Sequence, residues 1–156
     1  MKKYFLILFL SISASIFAQP VPYNVNHKKF PLGQDFRKLL PEEVGTWTRF
    51  SFHDYIPGRE QGHVFYEKGE KQIDVIFGRA TDQQDMTAIW KKMYDEETAD
   101  REKDIKQKNV ASTSTRFVVI DGKKSYLFAW TRNLYYFSIE TKEKSDADEF
   151  MKSFPW

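Results

Sequence analysis

Between residues 110 and 141 the chain alternates ring and aliphatic side chains through two tight reversals, and no other stretch narrows the fold as much. Arg116 to Ile120 leads into Asp121–Gly122, a dipeptide that tolerates the positive φ angles of a type I′ hairpin turn. Tyr126, Phe128 and Trp130 then alternate with Leu127 and Ala129. A second turn at Arg132–Asn133 returns the chain through Tyr135, Phe137 and Ile139. The pattern predicts a three-stranded antiparallel meander. Its middle strand is apolar at successive positions, so it must be covered on both faces or sit centrally in a sheet. One helix cannot bury both faces, which predicts an exposed aromatic patch.

Upstream, Thr46 to Tyr55 is β-branched and aromatic and predicts a first strand with Phe50 and Phe52 on one face. Ile56 to Gly62 reads as a connection. His63–Glu67 and Lys71–Phe77 follow as two strands around Lys68–Gly69–Glu70, with Ile73, Val75 and Phe77 facing a core. The period then changes. Thr81 and Gln84 form a capping-box pattern, and Met86, Ile89, Trp90 and Met93 define a helical stripe. From Asp95 to Lys108 that stripe thins to Ala99 and Ile105. Pairs such as Glu97–Arg101, Glu102–Lys106 and Asp104–Lys108 then predict a solvated continuation of the same helix. A short helix is predicted over Gln34–Leu40. Ser145 is the expected cap of a last helix, with Phe150, Met151 and Phe154 on its apolar side and Pro155 as its stop. The order indicates one α+β domain over 34–156: an antiparallel sheet of about six strands with a long central helix and a C-terminal helix packed on it.

The first 18 residues have the layout of a secretory signal. Lys2 and Lys3 precede an apolar run from Tyr4 to Ile12, and small residues up to Ala18 offer a cleavage site. The run is too short to span a bilayer, and no later stretch approaches the roughly 20 apolar residues a spanning helix needs. Residues 19–33, with Pro20, Pro22, Pro31 and Gly33, read as an irregular arm. The expected location is the periplasm, or the exterior, after cleavage near Ala18.

Removing the signal takes away two lysines and no acid, which leaves 22 basic and 22 acidic residues. A neutral mature chain argues against bulk electrostatic binding of nucleic acid or an anionic membrane. The chain has no cysteine, which excludes both a lipobox and disulfides. Its core must therefore carry the fold, and aromatics at 17% of residues supply the material.

The ending, a tyrosine-rich hairpin followed by "SDADEFMKSFPW", resembles the close of PsbP-like domains, and the opening "LLPEEVGTW" is similar to small exported domains of that sort. The resemblance implies a two-layer α/β/α fold. It transfers no functional residue, and fold alone does not decide function.

Catalytic and metal signals are sparse. His53 and His63 flank one connection beside Asp54, and pairing of their strands would bring the imidazoles close. The spacing matches no compact metal motif, however, and no cofactor is expected. His27 falls in the arm. There is no GxSxG elbow, and the paired carboxylates (Glu42–Glu43, Asp95–Glu96–Glu97) lie on charged segments that give no desolvating pocket. The scattered glycines, among them Gly58, Gly62, Gly69 and Gly122, read as turns rather than a phosphate loop. The aromatic excess remains, and Trp47, Tyr55, Trp130 and Tyr136 are the candidate binding residues, each weighed against a place in the core. These readings favour a non-enzymatic exported domain that binds a protein or envelope component, an inhibitor or immunity-type protein being one example. The alternatives are a carrier of an apolar or sugar ligand between sheet and helix, and a hydrolase using His53, Asp54 and His63.

Overall fold

The computed structural model describes residues 22–23, 25, 40–53, 60–99, 103–110 and 115–156. Its elements run β1 (Glu43–Val44), β2 (Trp47–His53), β3 (Glu60–Lys68), β4 (Lys71–Arg79), α1 (Gln83–Ala99), β5 (Lys103–Val110), β6 (Thr115–Gly122), β7 (Tyr126–Arg132), β8 (Tyr135–Thr141) and α2 (Lys144–Ser153). All eight strands join one antiparallel sheet in the order β1-β2-β3-β4-β8-β7-β6-β5. The first four strands form a meander. α1 then carries the chain to the far edge, and the last four return so that β8 zips onto β4 from Ile73↔Thr141 to Arg79↔Tyr135.

The α+β class and the 110–141 meander agree with the sequence reading, while the strand number and the extent of the first helix do not. The sheet has eight strands rather than about six. β1 is a two-residue edge, and β5 occupies the segment expected to prolong α1. Local charge spacing favoured a helix over 95–108, but β6 presents an open edge to these residues. Pairing from Lys103↔Gly122 to Val110↔Thr115 satisfies the groups β6 left open on that side, and β5 becomes the new sheet edge. Ile105 then lies opposite Ile120 and packs at the cluster around Trp90. Asp104 and Lys108 thus stand in a strand rather than on the expected helix.

Turns and caps shift by a residue or two. Asp121 pairs with Tyr126, so Asp121–Gly122 closes β6 and the reversal lies beyond it. Arg132 pairs with Tyr135, which centres the next turn on Asn133–Leu134, with Asn133 at φ 53°. Gly69, at φ 62°, makes the tight β3–β4 turn as expected. Asp82 rather than Thr81 caps α1. Its carboxylate accepts the Asp85 N–H at 2.8 Å, while Asp85 accepts from the Thr81 N–H at 2.9 Å. α2 begins one residue before Ser145, with Glu143 at the cap position and no side-chain cap bond.

Cross-strand partners share a sheet face, so the register sorts the core into two layers. Val64, Tyr66, Val75, Phe77, Phe117, Phe128, Trp130 and Phe137 face α2, which inserts Ala147, Phe150 and Met151, with Phe154 following at its C-cap. Val118, Ile120, Leu127 and Ala129 face the other way, onto Trp90 of α1, and Tyr136 packs with Met86 and Ala80. Helices therefore lie on both faces of the sheet. Every residue of β7 from Tyr126 to Thr131 is buried, and the exposed ring patch expected on this strand is absent. The interior facing α2 is a continuous pile of rings. Trp130 stacks on Phe128 at 4.8 Å and on Phe137 at 5.2 Å, and Phe154 meets its edge at 5.9 Å. Tyr23 and Val25 of the arm also reach this layer. The signal segment, the rest of the 19–33 arm and the short helix before Leu40 lie outside the described residues; Leu40 itself is buried in the core.

Candidate functional site

Three of the four candidate binding rings are placed, and all three are interior. Trp47 and Trp130 are 1% and 0% exposed, and Tyr136 is 6% exposed. Trp47 packs against Phe150, Trp130 sits in the ring pile, and Tyr136 lies under Met86 of α1. An eight-stranded sheet with a helix on each face absorbs these large rings. None of the three is accessible to a partner in this conformation. Tyr55, Asp54, Gly58 and His27 lie outside the described residues, as does the side chain of His53. The backbone register does make His53 and His63 direct partners across β2 and β3.

His63 instead finds its acid on the next strand. In the β3–β4 hairpin His63 opposes Ile76 and Phe65 opposes Asp74, so His63 and Asp74 are diagonal neighbours on one face. His63 Nε2 and Asp74 Oδ1 are hydrogen-bonded, and both side chains keep about a third of their surface exposed, at 31% and 32%. The Phe65 ring lies beside the imidazole, centroids 4.5 Å apart. Burial pushes the Asp74 carboxyl above the ordinary carboxylate value, with His63 pulling it back and Glu140 adding to the rise. Ser51, opposite Phe65, has a buried hydroxyl that makes no hydrogen bond.

This cluster lies on the α1 face of the sheet, yet the residues α1 touches come from β4 and β8 at one end and from β5, β6 and β7. Among the described residues, no helix covers the β2–β3 part of that face. At its margin the register of β2 slips between Arg49 and Ser51. The bulge turns Phe50 outward, 65% exposed, and it is the sole exposed large apolar side chain among the described residues. Sequence reasoning missed both Asp74 and Phe50. The tight turn at Gly69 fixes the hairpin register and could have located Asp74; nothing local foretells the bulge that turns Phe50 out.

The arrangement holds an imidazole against a carboxylate on an open, half-aromatic sheet face. No group of three or more metal-ligating side chains gathers among the described residues. No helix of the described residues is long and apolar enough to cross a membrane.

The raised Asp74 carboxyl carries a prediction. The fold favours the protonated acid, so stability falls as pH rises from the ordinary carboxylate value through the raised one, and is flat above it. Asp74→Asn removes that dependence. Urea unfolding of both proteins between about pH 3 and pH 7 should show the wild-type advantage over Asp74→Asn shrinking as pH rises. A difference that stays constant would refute the burial assignment.

No family model matches the chain, and no curated protein matches it. Among solved structures, the crystal structure of a GTP binding regulator from Thermotoga maritima superposes with a TM-score of 0.53 at 13% identity, covering 81% of this chain and 88% of that one. At that identity the likeness establishes a shared fold.

Proposed function

We propose that this is an exported domain of the periplasm that works by binding rather than catalysis, and that it recognises a protein or cell-envelope component through the Phe50–His63–Phe65–Asp74 surface. The observation that carries this reading is the uneven covering of the sheet: most described rings elsewhere are buried in the core, while β2 and β3 carry an exposed Phe50 and an oriented, half-exposed polar pair. Exposed apolar groups beside ordered polar ones are the usual make-up of a recognition patch. The fold shared with a GTP binding regulator is compatible with a binding or regulatory role at the level of analogy only. An inhibitor or immunity-type protein remains a concrete member of this class.

The carrier alternative loses support from the ring pile, which occupies the layer between sheet and α2 where a ligand would lie. For a hydrolase with a serine nucleophile, His63–Asp74 supplies an oriented base, but the Ser51 hydroxyl on the same face makes no hydrogen bond to it.

The test is a matched pair of substitutions on the mature protein. Phe50→Glu should abolish the enrichment of an envelope partner over an unrelated exported control. It should leave the melting temperature within a degree or two, because surface changes are usually within about 0.5 kcal/mol. His63→Ala should weaken the same enrichment. If both variants retain the partner, the surface is wrongly assigned.

A further inference from the structure

On the α1 side of the sheet, register sets a ring and two acids in one row across three strands. Phe65 of β3 is the direct partner of Asp74 of β4, and Asp74 is in turn the partner of Glu140 of β8. Neighbouring strands lie about 4.8 Å apart, so the three side chains stand within reach of one bound group. Phe65, Asp74 and Glu140 are all half-buried, neither sealed nor fully solvated. Glu67, exposed and two residues from Phe65, adds a third acid on this side. The same side of β2, β3, β4 and β8 holds no lysine or arginine.

Both acids of the row are oriented by a donor. His63 Nε2–H donates to Asp74 Oδ1, and the Ser125 hydroxyl donates to Glu140 Oε1 at 2.6 Å. Asp74 Oδ2 has no hydrogen-bond partner among the described residues. Like charges abreast on a sheet repel, and the Glu140 charge adds to the burial that raises the Asp74 carboxyl. A cation lying between the two acids would remove that repulsion. An aromatic face next to a carboxylate also suits a guanidinium, which stacks on the one while donating to the other.

We propose that the Phe65–Asp74–Glu140 row seats an arginine or lysine side chain from a basic segment of a partner protein. This rests on the binding reading above and supplies the chemistry of its partner. Anionic headgroups and nucleic acid are repelled by the same acids. A second copy docked about a two-fold axis here would set Asp74 and Glu140 against themselves, so the occupant is a different, basic chain.

The experiment follows the amide resonances of residues 19–156 during titration with the peptide acetyl-Gly-Arg-Gly-Arg-Gly-amide at low ionic strength. Shifts should centre on Phe65, Asp74 and Glu140 and shrink as salt is added. The glutamate counterpart of the peptide should produce none there. Asp74→Asn with Glu140→Gln should weaken arginine-peptide binding about tenfold, two half-exposed ion pairs being removed. Glu70→Gln with Glu96→Gln takes away the same charge from exposed positions on the β3–β4 turn and α1, and should leave binding unchanged. Should the first double variant not fold, Glu140→Gln alone carries the comparison, with about a threefold loss.

No response at this row, an equal response to the glutamate peptide, or equal losses in the two double variants would overturn the basic partner. So would a response to tetra-N-acetylglucosamine in place of the arginine peptide, which would make the occupant a glycan. Each of these leaves the binding reading to its own test. Retention of the envelope partner by both Phe50→Glu and His63→Ala would instead remove that reading, and this proposal with it.

Discussion

Trp130→Ala is expected to lower stability by about 3–5 kcal/mol, enough to reduce Tm by about 10 °C or more. Trp130 is fully buried at the centre of the interior pile and touches the rings of Phe128, Phe137 and Phe154. Those neighbours are anchored in three different elements, so they cannot collapse into the space left behind, and a cavity persists. Single domains hold only about 5–15 kcal/mol in total, so the loss is a large share. Trp130→Phe supplies the control. It keeps a ring in the stack and removes a buried indole N–H that makes no hydrogen bond, so its loss should be a fraction of alanine's. Denaturant unfolding with unchanged m-values would measure both. An alanine variant as stable as wild type would mean that the pile is not the seat of stability.

The second large effect is expected at Gly62→Ala, with a loss of about 1–3 kcal/mol. Gly62 was read as part of a connection but lies inside β3, directly opposite Phe77 of β4. The Phe77 ring covers the glycine so closely that an added Cβ would stand 2.4 Å from Cζ and 2.6 Å from Cε1. Phe77 is itself 1% exposed, so its ring has nowhere to swing. Phe77→Leu should relieve the clash, making the double variant less destabilised than the sum of the two single losses. Strict additivity in that cycle would show that the cost at Gly62 has another origin.

Much of this fold can be read in the residues because the signals are local. Alternating rings from Tyr126 to Ile139 and the reversal near Asn133 foretell the β6–β8 meander, and the Met86/Trp90 stripe foretells the buried face of α1. Lys103–Val110 misled for a physical reason. Its charges are spaced as well for a helix as for a strand, and what decides is an open β6 edge supplied by residues 115–122. The site was less legible. Its histidine was singled out, but with the acid that follows His53 rather than with Asp74, because the pairing depends on hairpin register rather than on chain neighbours.

By itself, the order of residues determined the class of the fold, its meanders and the supply of rings for a core, since period, turn chemistry and composition act over a few residues at a time. Which rings are inside, which strand borders which, and which acid meets His63 were decided only in three dimensions. Pairing between β4 and β8, from Ile73↔Thr141 to Arg79↔Tyr135, is chosen by the backbone hydrogen bonds and apolar surface that the whole sheet can satisfy at once. No short window of sequence contains that sum.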